Sequence, residues 1–400
     1  MTTPKQPARI CILGGGFGGL YTALRLSQFP FAKHETPEIT LVDQRDRFLF
    51  SPLLYELLTG ELETWEISPP YSDLLANTNI RFIQGEVANI NLEDKKVKLD
   101  NDNTLNYDYL VLSMGGKTPL NGVEGAEKHA IAFRDIPDAY QLEEKLRLLE
   151  ASPVDKIRIA IVGGGYSGVE LACKLRDRVG DKARIRIIEQ SNMILRNSSE
   201  FNRDTAKKAL EKRDIWMDLE TSVQSVTENT ISLLYKGQLD TLPVDIVLWT
   251  VGNQVSPLVE NLDFAKNKRG QIITNSTLQV REYPEIFALG DLAECQDAEG
   301  KQVPATAQVA IQQADYTAWN IWASLTGRPL LQFRYFPLGE MMTLGTDNAT
   351  LTGLGIELDG PLAHLVRRLA YLYRLPTLDH QIKVAFNWIT RPFQEMLLSK

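Results

Sequence analysis

Two glycine-rich runs, GGGFGG at 14–19 and GGGYSG at 163–168, have the spacing of turns that bring a backbone close to a diphosphate. Each follows a short apolar run typical of a buried strand and precedes a helix-like segment. In such a unit the first glycine permits the turn, the second admits the phosphate and the third lets the helix pack on the strand. The glycines in these positions are Gly14, Gly16 and Gly19 in the first run, and Gly163, Gly165 and Gly168 in the second. The sequence therefore predicts two dinucleotide sites.

An acidic residue follows the next apolar strand in both units. Asp43 follows the run at 39–42, and Glu189 follows the run at 185–188. A carboxylate in this place accepts hydrogen bonds from a ribose 2′-hydroxyl and repels a 2′-phosphate. Glu189 thus favours NADH over NADPH at the second site, although the nearby arginines leave NADPH open.

Two strands that end in glycine, at 109–115 and 246–252, bracket the second unit. We interpret them as crossings between an outer domain and a domain inserted into it. The predicted fold class is α/β, with two Rossmann-like dinucleotide-binding domains and a C-terminal amphipathic helical segment. The expected boundaries are 1–117 and 252–330 for the first domain, 118–251 for the second and 331–400 for the C-terminal segment.

A further buried-type strand at 286–289 runs into Gly290 and Asp291. Asp291 is placed to contact a ribityl or phosphate group. The alternative is that it only caps the N-terminus of a helix.

Composition excludes several classes of protein. The three cysteines are far apart and form no CxxC pair, so neither a disulfide framework nor a dithiol centre is expected. A net charge of −8 argues against a nucleic-acid partner. No clustered His/Cys set indicates a metal site, and the four histidines, His34, His129, His364 and His380, are expected at the surface.

The C-terminal tail carries a basic amphipathic helix. Over 361–375 the leucines at 362, 365, 369 and 372 with Val366 form one face, and His364, Arg367, Arg368, Tyr371 and Arg374 form the other. The last 40 residues hold six Lys or Arg, ending in Lys400, against Asp379 and Glu395. This pattern favours attachment to an anionic membrane surface. A homodimer interface, or docking of the helix on the first domain, would also use an apolar stripe.

Several longer motifs resemble the type II NAD(P)H:quinone oxidoreductases, a family of two-dinucleotide flavoproteins. They are FLFSPLLYELLTGEL at 48–62, YDYLVLSMGGKTP at 107–119, GGGYSGVELA at 163–172, LWTVGNQVSPL at 248–258, ALGDLAE at 288–294 and PATAQVAIQQADYTAWNI at 304–321. The tail motifs FRYFPLGEMMTLG and LAHLVRRLAYLYRLP resemble the cyanobacterial and plastid branch, which acts on demethylnaphthoquinones. The resemblance implies bound FAD, NADH or NADPH as donor, a lipid quinone as acceptor, and peripheral attachment to the cytoplasmic side of a thylakoid or plasma membrane.

The resemblance also implies site residues. FAD would be held by Gly14, Gly16, Gly18, Gly19, Asp43, Gly115, Gly290, Asp291 and Ala307, with Pro52 in the segment that covers the flavin. The nicotinamide side would use Gly163, Gly165, Gly168, Glu170, Glu189 and Gly252. The quinone entrance would be lined by Gln308, Gln312 and Gln313, with Met341 and Met342 as slot residues or as core filler.

Two of these residues are the expected catalytic ones. Glu170, predicted on the first turn of its helix, would orient the nicotinamide; otherwise it is a carboxylate that only favours the helix dipole. Gln308 would donate a hydrogen bond to a quinone carbonyl; otherwise it contacts the backbone.

Other functions remain open at this stage. A flavoprotein reductase of a protein acceptor, such as a ferredoxin or rubredoxin, would need a basic docking patch on the acidic body of the chain. A flavin or NAD sensor without turnover would carry the same binding motifs. A disulfide reductase or sulfide:quinone oxidoreductase would need paired cysteines, which the chain lacks.

Overall fold

The computed structural model describes residues 6–32, 35–120 and 122–398, with side chains described up to residue 391. His34, Lys400 and the side chain of Glu395 lie outside this description. The chain divides into two compact units. The first comprises Met1–Leu49, Ser68–Lys117 and Asn253–Phe336, and the second comprises Phe50–Ile67, Thr118–Gly252 and Pro337–Lys400.

The secondary structure alternates strands and helices along both units. The strands are, in chain order, β1 Arg9–Leu13, β2 Glu38–Asp43, β3 Ile80–Gln84, β4 Val87–Asn91, β5 Lys96–Leu99, β6 Thr104–Asn106, β7 Tyr109–Leu112, β8 Ala130–Ala132, β9 Ile157–Val162, β10 Ala183–Ile188, β11 Trp216–Asp218, β12 Thr221–Val226, β13 Thr230–Tyr235, β14 Gln238–Pro243, β15 Ile246–Trp249, β16 Ile272–Ile273, β17 Gln279–Val280, β18 Tyr283–Ala288, β19 Ala293–Glu294, β20 Glu340–Thr343, β21 Ala349–Gly353 and β22 Ile356–Asp359.

The helices are α1 Phe17–Ser27, α2 Thr64–Ile67, α3 Tyr71–Leu75, α4 Ala126–His129, α5 Ile136–Ala151, α6 Tyr166–Val179, α7 Glu200–Glu211, α8 Pro257–Glu260, α9 Ala307–Thr326, α10 Gly360–Arg374 and α11 Leu378–Leu398. Short 3-10 helices cover Ser51–Leu57, Gly180–Lys182 and Gly290–Leu292.

The first unit is built on a six-stranded sheet in the order β17-β18-β7-β1-β2-β3. Its strands pair in parallel from β18 to β3, and β17 is antiparallel at one edge. The central strand β1 is buried along Ile10–Leu13 because helices cover a parallel sheet on both faces. Strands β1, β7 and β18 therefore bring the turns after Leu13, Leu112 and Ala288 to one edge of the sheet, where ligands bind in open α/β folds.

The second unit repeats this plan with a parallel sheet in the order β11-β10-β9-β15-β8. Apolar side chains of β9, β10 and β15 form its core together with the antiparallel sheet β12-β13-β14. Both Rossmann-like sheets predicted from the sequence are confirmed.

The C-terminal segment contains the expected amphipathic helix, as α10, but a sheet that was not predicted precedes it. Residues 340–359 form an antiparallel sheet, β20-β21-β22, before α10 and α11 begin. Residues 337–400 cluster with the second unit, as do residues 50–67. No helix in the described part of the chain combines the length and hydropathy needed to cross a bilayer.

Candidate functional site

The first glycine turn has the shape that a bound diphosphate requires. Gly14 has a φ of 95°, and a side chain at Gly19 would overlap the carbonyl oxygen of Gly14. These two glycines are therefore needed by the fold itself. A Cβ placed at Gly16 meets nothing within 4 Å, and its φ of −70° would accept any residue. The described residues therefore set no steric requirement for glycine at position 16, and the space beside this backbone is open to a bound group.

The second glycine turn repeats this arrangement position by position. Gly163 has a φ of 114°, and a side chain at Gly168 would overlap the carbonyl oxygen of Gly163. At Gly165 a Cβ again meets nothing within 4 Å, and its φ is −79°. Both turns thus present an open backbone face at their second glycine.

The helices that follow are prepared for an anion. The N-cap residues of α1 and α6 are Gly16 and Gly165, and neither helix has a side-chain cap or an acidic residue in its first turn. Backbone N–H groups at such an end, with the positive end of the helix dipole, bind phosphate. The residues present in the two units fit two dinucleotides.

The acid that ends β2, Asp43, and the acid that follows β10, Glu189, hold the glycine turns in place. Asp43 accepts hydrogen bonds from the backbone N–H of Gly15 (2.6 Å) and of Arg45 (2.8 Å). Glu189 likewise accepts from Gly164 (2.8 Å) and Ser191 (2.7 Å). Burial raises the pKa of Asp43 above its ordinary value, against the opposing effect of these N–H donors. Each carboxylate therefore stands beside its turn, at the end of the strand that a ribose would approach.

The remaining residues expected near FAD in the first unit are distributed around the same sheet edge. Gly18 lies inside α1, where an added Cβ would come within 3.1 Å of Leu289. Gly115 and Gly290 have positive φ, and Asp291 lies in the 3-10 helix that begins at Gly290. Ala307 is the first residue of α9.

The three glutamines of α9 have different partners. Gln308 accepts a hydrogen bond from the hydroxyl of Tyr335 (2.8 Å), and Gln312 exchanges hydrogen bonds with the backbone of Phe336 (2.9 and 3.0 Å). Gln313 is buried, and its side-chain oxygen accepts from the N–H of Gly290 (2.9 Å). Gln313 therefore supports the turn before Asp291.

In the second unit the remaining expected residues lie on or directly after three different elements. Gly252 has a φ of 88° and follows β15. Pro52 lies in the 3-10 helix Ser51–Leu57. Met341 and Met342 are on β20, where Met342 is fully buried and Met341 is partly exposed. Full burial of Met342 agrees with core filling.

Glu170 lies in a different position from the one predicted. Helix α6 begins at Tyr166 and has no acidic residue in its first turn, so the predicted first-turn location was wrong. Its side chain is buried, accepts a hydrogen bond from the N–H of Thr343 (2.9 Å) and lies 3.5 Å from the guanidinium of Arg367. Glu170 therefore belongs to a buried ionic cluster, away from the helix end whose dipole was the alternative explanation.

This buried ionic cluster consists of Glu56, Glu61, Glu170, Lys174 and Arg367, all in the second unit. Arg367 is fully buried, pairs with Glu56 and donates to the carbonyl oxygen of Pro52 (2.9 Å). Lys174 is also fully buried and pairs with Glu61. The cluster joins α6 and α10 to residues 52–61 by charge-assisted hydrogen bonds.

The cluster sets the carboxyl groups at different pKa values. Burial raises the pKa of Glu170 to about 7, although Arg367 and the Thr343 N–H act in the opposite direction. At Glu56 burial is also the largest influence and would raise the pKa, but Arg367 and Lys174 together hold it below its ordinary value. One carboxyl of the cluster is thus suited to exchange a proton near neutral pH while its neighbour stays ionised.

Residues 50–67 also anchor the last helix. Glu66 is buried and accepts from the indole N–H of Trp388 (2.7 Å), and its carbonyl oxygen contacts Nε2 of His380 (2.8 Å). Arg391 donates to the carbonyl oxygens of Gly60 (2.7 Å) and Glu61 (3.1 Å). Polar contacts therefore fasten α10 and α11 to the second unit.

Helix α10 consequently turns its polar side inward. Its buried residues are Ala363, His364 and Arg367, whereas Leu362, Leu365 and Leu369 are 57%, 53% and 54% exposed. The prediction that Arg367 belongs to an exposed basic face of this helix was wrong, because its guanidinium is fully buried and pairs with Glu56. The surface expectation was also wrong for His364 and His380, which are buried against Glu61 and Glu66.

Sequence reasoning missed Glu56, Glu61 and Lys174 as site residues. A usable signal exists, because Glu56 and Glu61 interrupt the apolar run SPLLYELLTGEL, and Lys174 stands four residues after Glu170 on one helix face. Charges in such apolar surroundings indicate buried pairing.

Comparison with known proteins relates this geometry to a family. Residues 8–314 match the pyridine nucleotide-disulphide oxidoreductase family. A demethylphylloquinone reductase of Synechocystis sp. is 56% identical over 99% of this chain and 98% of its own. An alternative NAD(P)H-ubiquinone oxidoreductase C1 of Arabidopsis thaliana is 41% identical over 97% of this chain and 81% of its own. The solved structure of NDH2 from Plasmodium falciparum in complex with NADH has the same fold, with a TM-score of 0.84 at 20% identity over 96% of this chain and 98% of that one.

Proposed function

We propose, because the chain belongs to the pyridine nucleotide-disulphide oxidoreductase family and within it to the type II NAD(P)H:quinone oxidoreductases, that it oxidises NAD(P)H and reduces a membrane quinone. FAD, when bound, would supply the redox chemistry, which is hydride transfer from the nicotinamide to flavin N5 and transfer of two electrons to the quinone. The duplicated glycine turns are the observation that supports this proposal most directly. NAD(P)H and FAD each contain a diphosphate, so the two together need two such turns.

We assign FAD to the first unit and the nicotinamide cofactor to the second. The turn at Gly14–Gly19, with Asp43 and Asp291 at the same sheet edge, would hold the flavin nucleotide. The turn at Gly163–Gly168, with Glu189, would hold the donor. An acidic side chain at Glu189, beside the turn, would disfavour a 2′-phosphate, which supports NADH as the better donor.

Valine at the second glycine of each turn tests both assignments. A valine at Gly16 or Gly165 meets no protein atom within 4 Å at Cβ, so the fold is expected to survive while the diphosphate is excluded. We expect Gly16→Val to purify without yellow flavin and Gly165→Val to keep the flavin. The second variant should need at least about 100-fold more NADH for flavin reduction, which corresponds to about 2.7 kcal/mol of binding free energy. Flavin content and stopped-flow reduction measure these outcomes, and each variant is the control for the other. Loss of flavin from Gly165→Val alone would reverse the assignment.

The finer proposal for the acceptor is a prenylated demethylnaphthoquinone. It is supported by the 56% identity to a protein named demethylphylloquinone reductase. Gln308, positioned by the Tyr335 hydroxyl, is our proposed contact for a quinone carbonyl. Reoxidation of the reduced flavoprotein by a series of naphthoquinones and benzoquinones tests the preference, and equal rates across the series would remove it.

Membrane attachment through α10 and α11 is the proposed route to a lipid quinone. Exposed apolar side chains recur every three to four residues along both helices. They are Leu362, Leu365, Leu369, Tyr373, Leu378, Ile382, Phe386 and Ile389. Arg374 and Lys383, which are at least partly exposed, lie among them. An apolar stripe with flanking cations is typical of a helix in the interface of an anionic membrane.

Charge placed on this stripe should weaken membrane binding without damage to the fold. We expect Leu365→Glu/Leu369→Glu to lower partitioning to phosphatidylglycerol-containing vesicles at least about tenfold, a loss of about 1.4 kcal/mol. Leu148→Glu on α5 is the matched control because Leu148 is 56% exposed outside the tail. Flotation of the vesicles measures the fraction of each protein that is bound to them. Equal flotation of all three proteins, with a dimer-to-monomer change in the tail variant, would indicate a dimer interface instead. A truncation at residue 360 is unsuitable because it also removes Arg367 from Glu56.

A further inference from the structure

Three side chains that lie far apart in the sequence meet beside the beginning of α10. Glu61 comes from the segment after the 3-10 helix Ser51–Leu57, Asp347 from the turn between β20 and β21, and His364 from α10. Nε2 of His364 is 4.0 Å from Oε1 of Glu61 and 3.9 Å from Oδ1 of Asp347. The three atoms all lie within 4.8 Å of one another.

The imidazole at this place lacks a hydrogen-bond partner among the described residues. His364 is only 6% exposed, and neither Nδ1 nor Nε2 makes a hydrogen bond to that part of the chain. Oε1 of Glu61 is buried and lacks such a bond as well, within the same described residues. Buried polar atoms without partners are unfavourable, so a group that bonds to both the imidazole and Oε1 of Glu61 would be favoured here.

Glu61 is already positioned to offer one oxygen. Lys174 and the Thr59 hydroxyl bind its other oxygen, Oε2, and so fix the carboxylate with Oε1 toward His364. Hydrogen bonds of this kind to the non-ligating atom orient ligands in metal sites.

We propose that Glu61, Asp347 and His364 bind one divalent transition-metal cation of the Zn²⁺ class. One imidazole nitrogen with two carboxylate oxygens is a donor set that Zn²⁺ accepts, with a fourth position left for water. Tetrahedral ligands about 2.0 to 2.1 Å from a metal stand about 3.3 to 3.5 Å apart. The two distances from His364 must therefore close by roughly half an ångström, and the distance between the Glu61 and Asp347 oxygens by at most about 1.5 Å. Asp347 can make this movement because its side chain is 82% exposed. The cation would tie α10 to residues 50–67 and to the β20–β21 turn. It would thus help to fix the helix that carries the first half of the exposed apolar stripe.

Metal titration of the full-length, FAD-loaded, untagged protein tests the site. After treatment with a chelator and its removal, we expect one Zn²⁺ per chain by calorimetry and elemental analysis. Co²⁺ should give tetrahedral absorption bands at wavelengths beyond those of the flavin. Asp347→Asn, at a side chain that is 82% exposed, and His364→Gln should each weaken Zn²⁺ binding at least about tenfold.

His129→Gln is the control, because His129 lies outside the site and should leave the stoichiometry unchanged. Wild-type protein that binds no Zn²⁺, or Asp347→Asn and His364→Gln proteins that bind it as tightly as wild type, would overturn the proposal. Since the readouts are stoichiometry and spectra, the outcome does not depend on quinone reductase activity.

Discussion

Arg367→Met is expected to lower the free energy of unfolding of the second unit by about 3 to 5 kcal/mol. The reason is that methionine fills much of the space but leaves Glu56 buried without the guanidinium that pairs with it. Glu170 also loses the guanidinium that lies 3.5 Å away. The effect comes from the stranded carboxylates rather than from the loss of an attractive pair. Urea unfolding followed by tryptophan fluorescence measures it.

Two further variants separate this explanation from general damage to α10. Arg368→Met is the matched control, because Arg368 is partly exposed and stacks on Trp388 at 4.4 Å, and we expect a loss of only about 0.5 to 1 kcal/mol. Glu56→Gln in the Arg367→Met background removes the stranded charge and should recover part of the stability. If Arg367→Met and Arg368→Met unfold at the same urea concentration, the buried ionic cluster does not determine stability in this way.

Glu170→Gln should reduce quinone reductase turnover about 100-fold and remove a limb of its pH dependence near pH 7. Reduction of a quinone to a quinol consumes two protons, and we propose that the Glu170 carboxyl holds one of them. Its pKa is raised to about 7, so it is protonated below that pH and ionised above it. The wild-type rate should therefore fall as the pH rises through about 7, and the variant should have a low, flat profile there. The charged and titratable groups that interact with Glu170 are Arg367, Lys174, Glu56, Tyr55, Tyr166, Cys173 and Tyr371.

Stability gives an independent readout of the same carboxyl. Because the folded-state pKa of Glu170 lies above the ordinary value of 4.5, its contribution is full below that pH and is lost as the pH rises to about 7. The melting temperature of wild type should thus fall more between pH 5 and pH 8 than that of Glu170→Gln. Glu340→Gln is the control: this carboxylate, on β20, accepts from Ser198 and Asn202, and its pKa is held low. If Glu340→Gln loses the same pH limb, Glu170 is not its source.

Local patterns in the sequence determined the parts of this protein that depend on backbone geometry. The apolar runs before each glycine turn predict β1 and β9, since a strand buried on both faces must be apolar along its length. Gly14, Gly19, Gly163 and Gly168 could be read directly because only glycine meets the required φ or the close contact. The acids that hold these turns follow from the same strand periodicity.

The direction in which α10 faces was decided by the tertiary structure alone. Its pattern of leucines and cations fits either face inward, and the arrangement depends on Glu56 and Glu170, which are about 200 to 300 residues earlier in the chain. A buried charge is tolerated only when an opposite charge pairs with it. A local sequence pattern does not show which distant segment supplies that opposite charge. The antiparallel sheet at 340–359 also escaped prediction. Its strands pair with their neighbours in sequence, but Glu340 and Thr343 are held in addition by Asn202 of α7 and Glu170 of α6, which local sequence does not reveal. The local pattern of α10 is typical of a surface helix. Long-range pairing instead buries its Arg367 in an ionic cluster and leaves its leucines exposed.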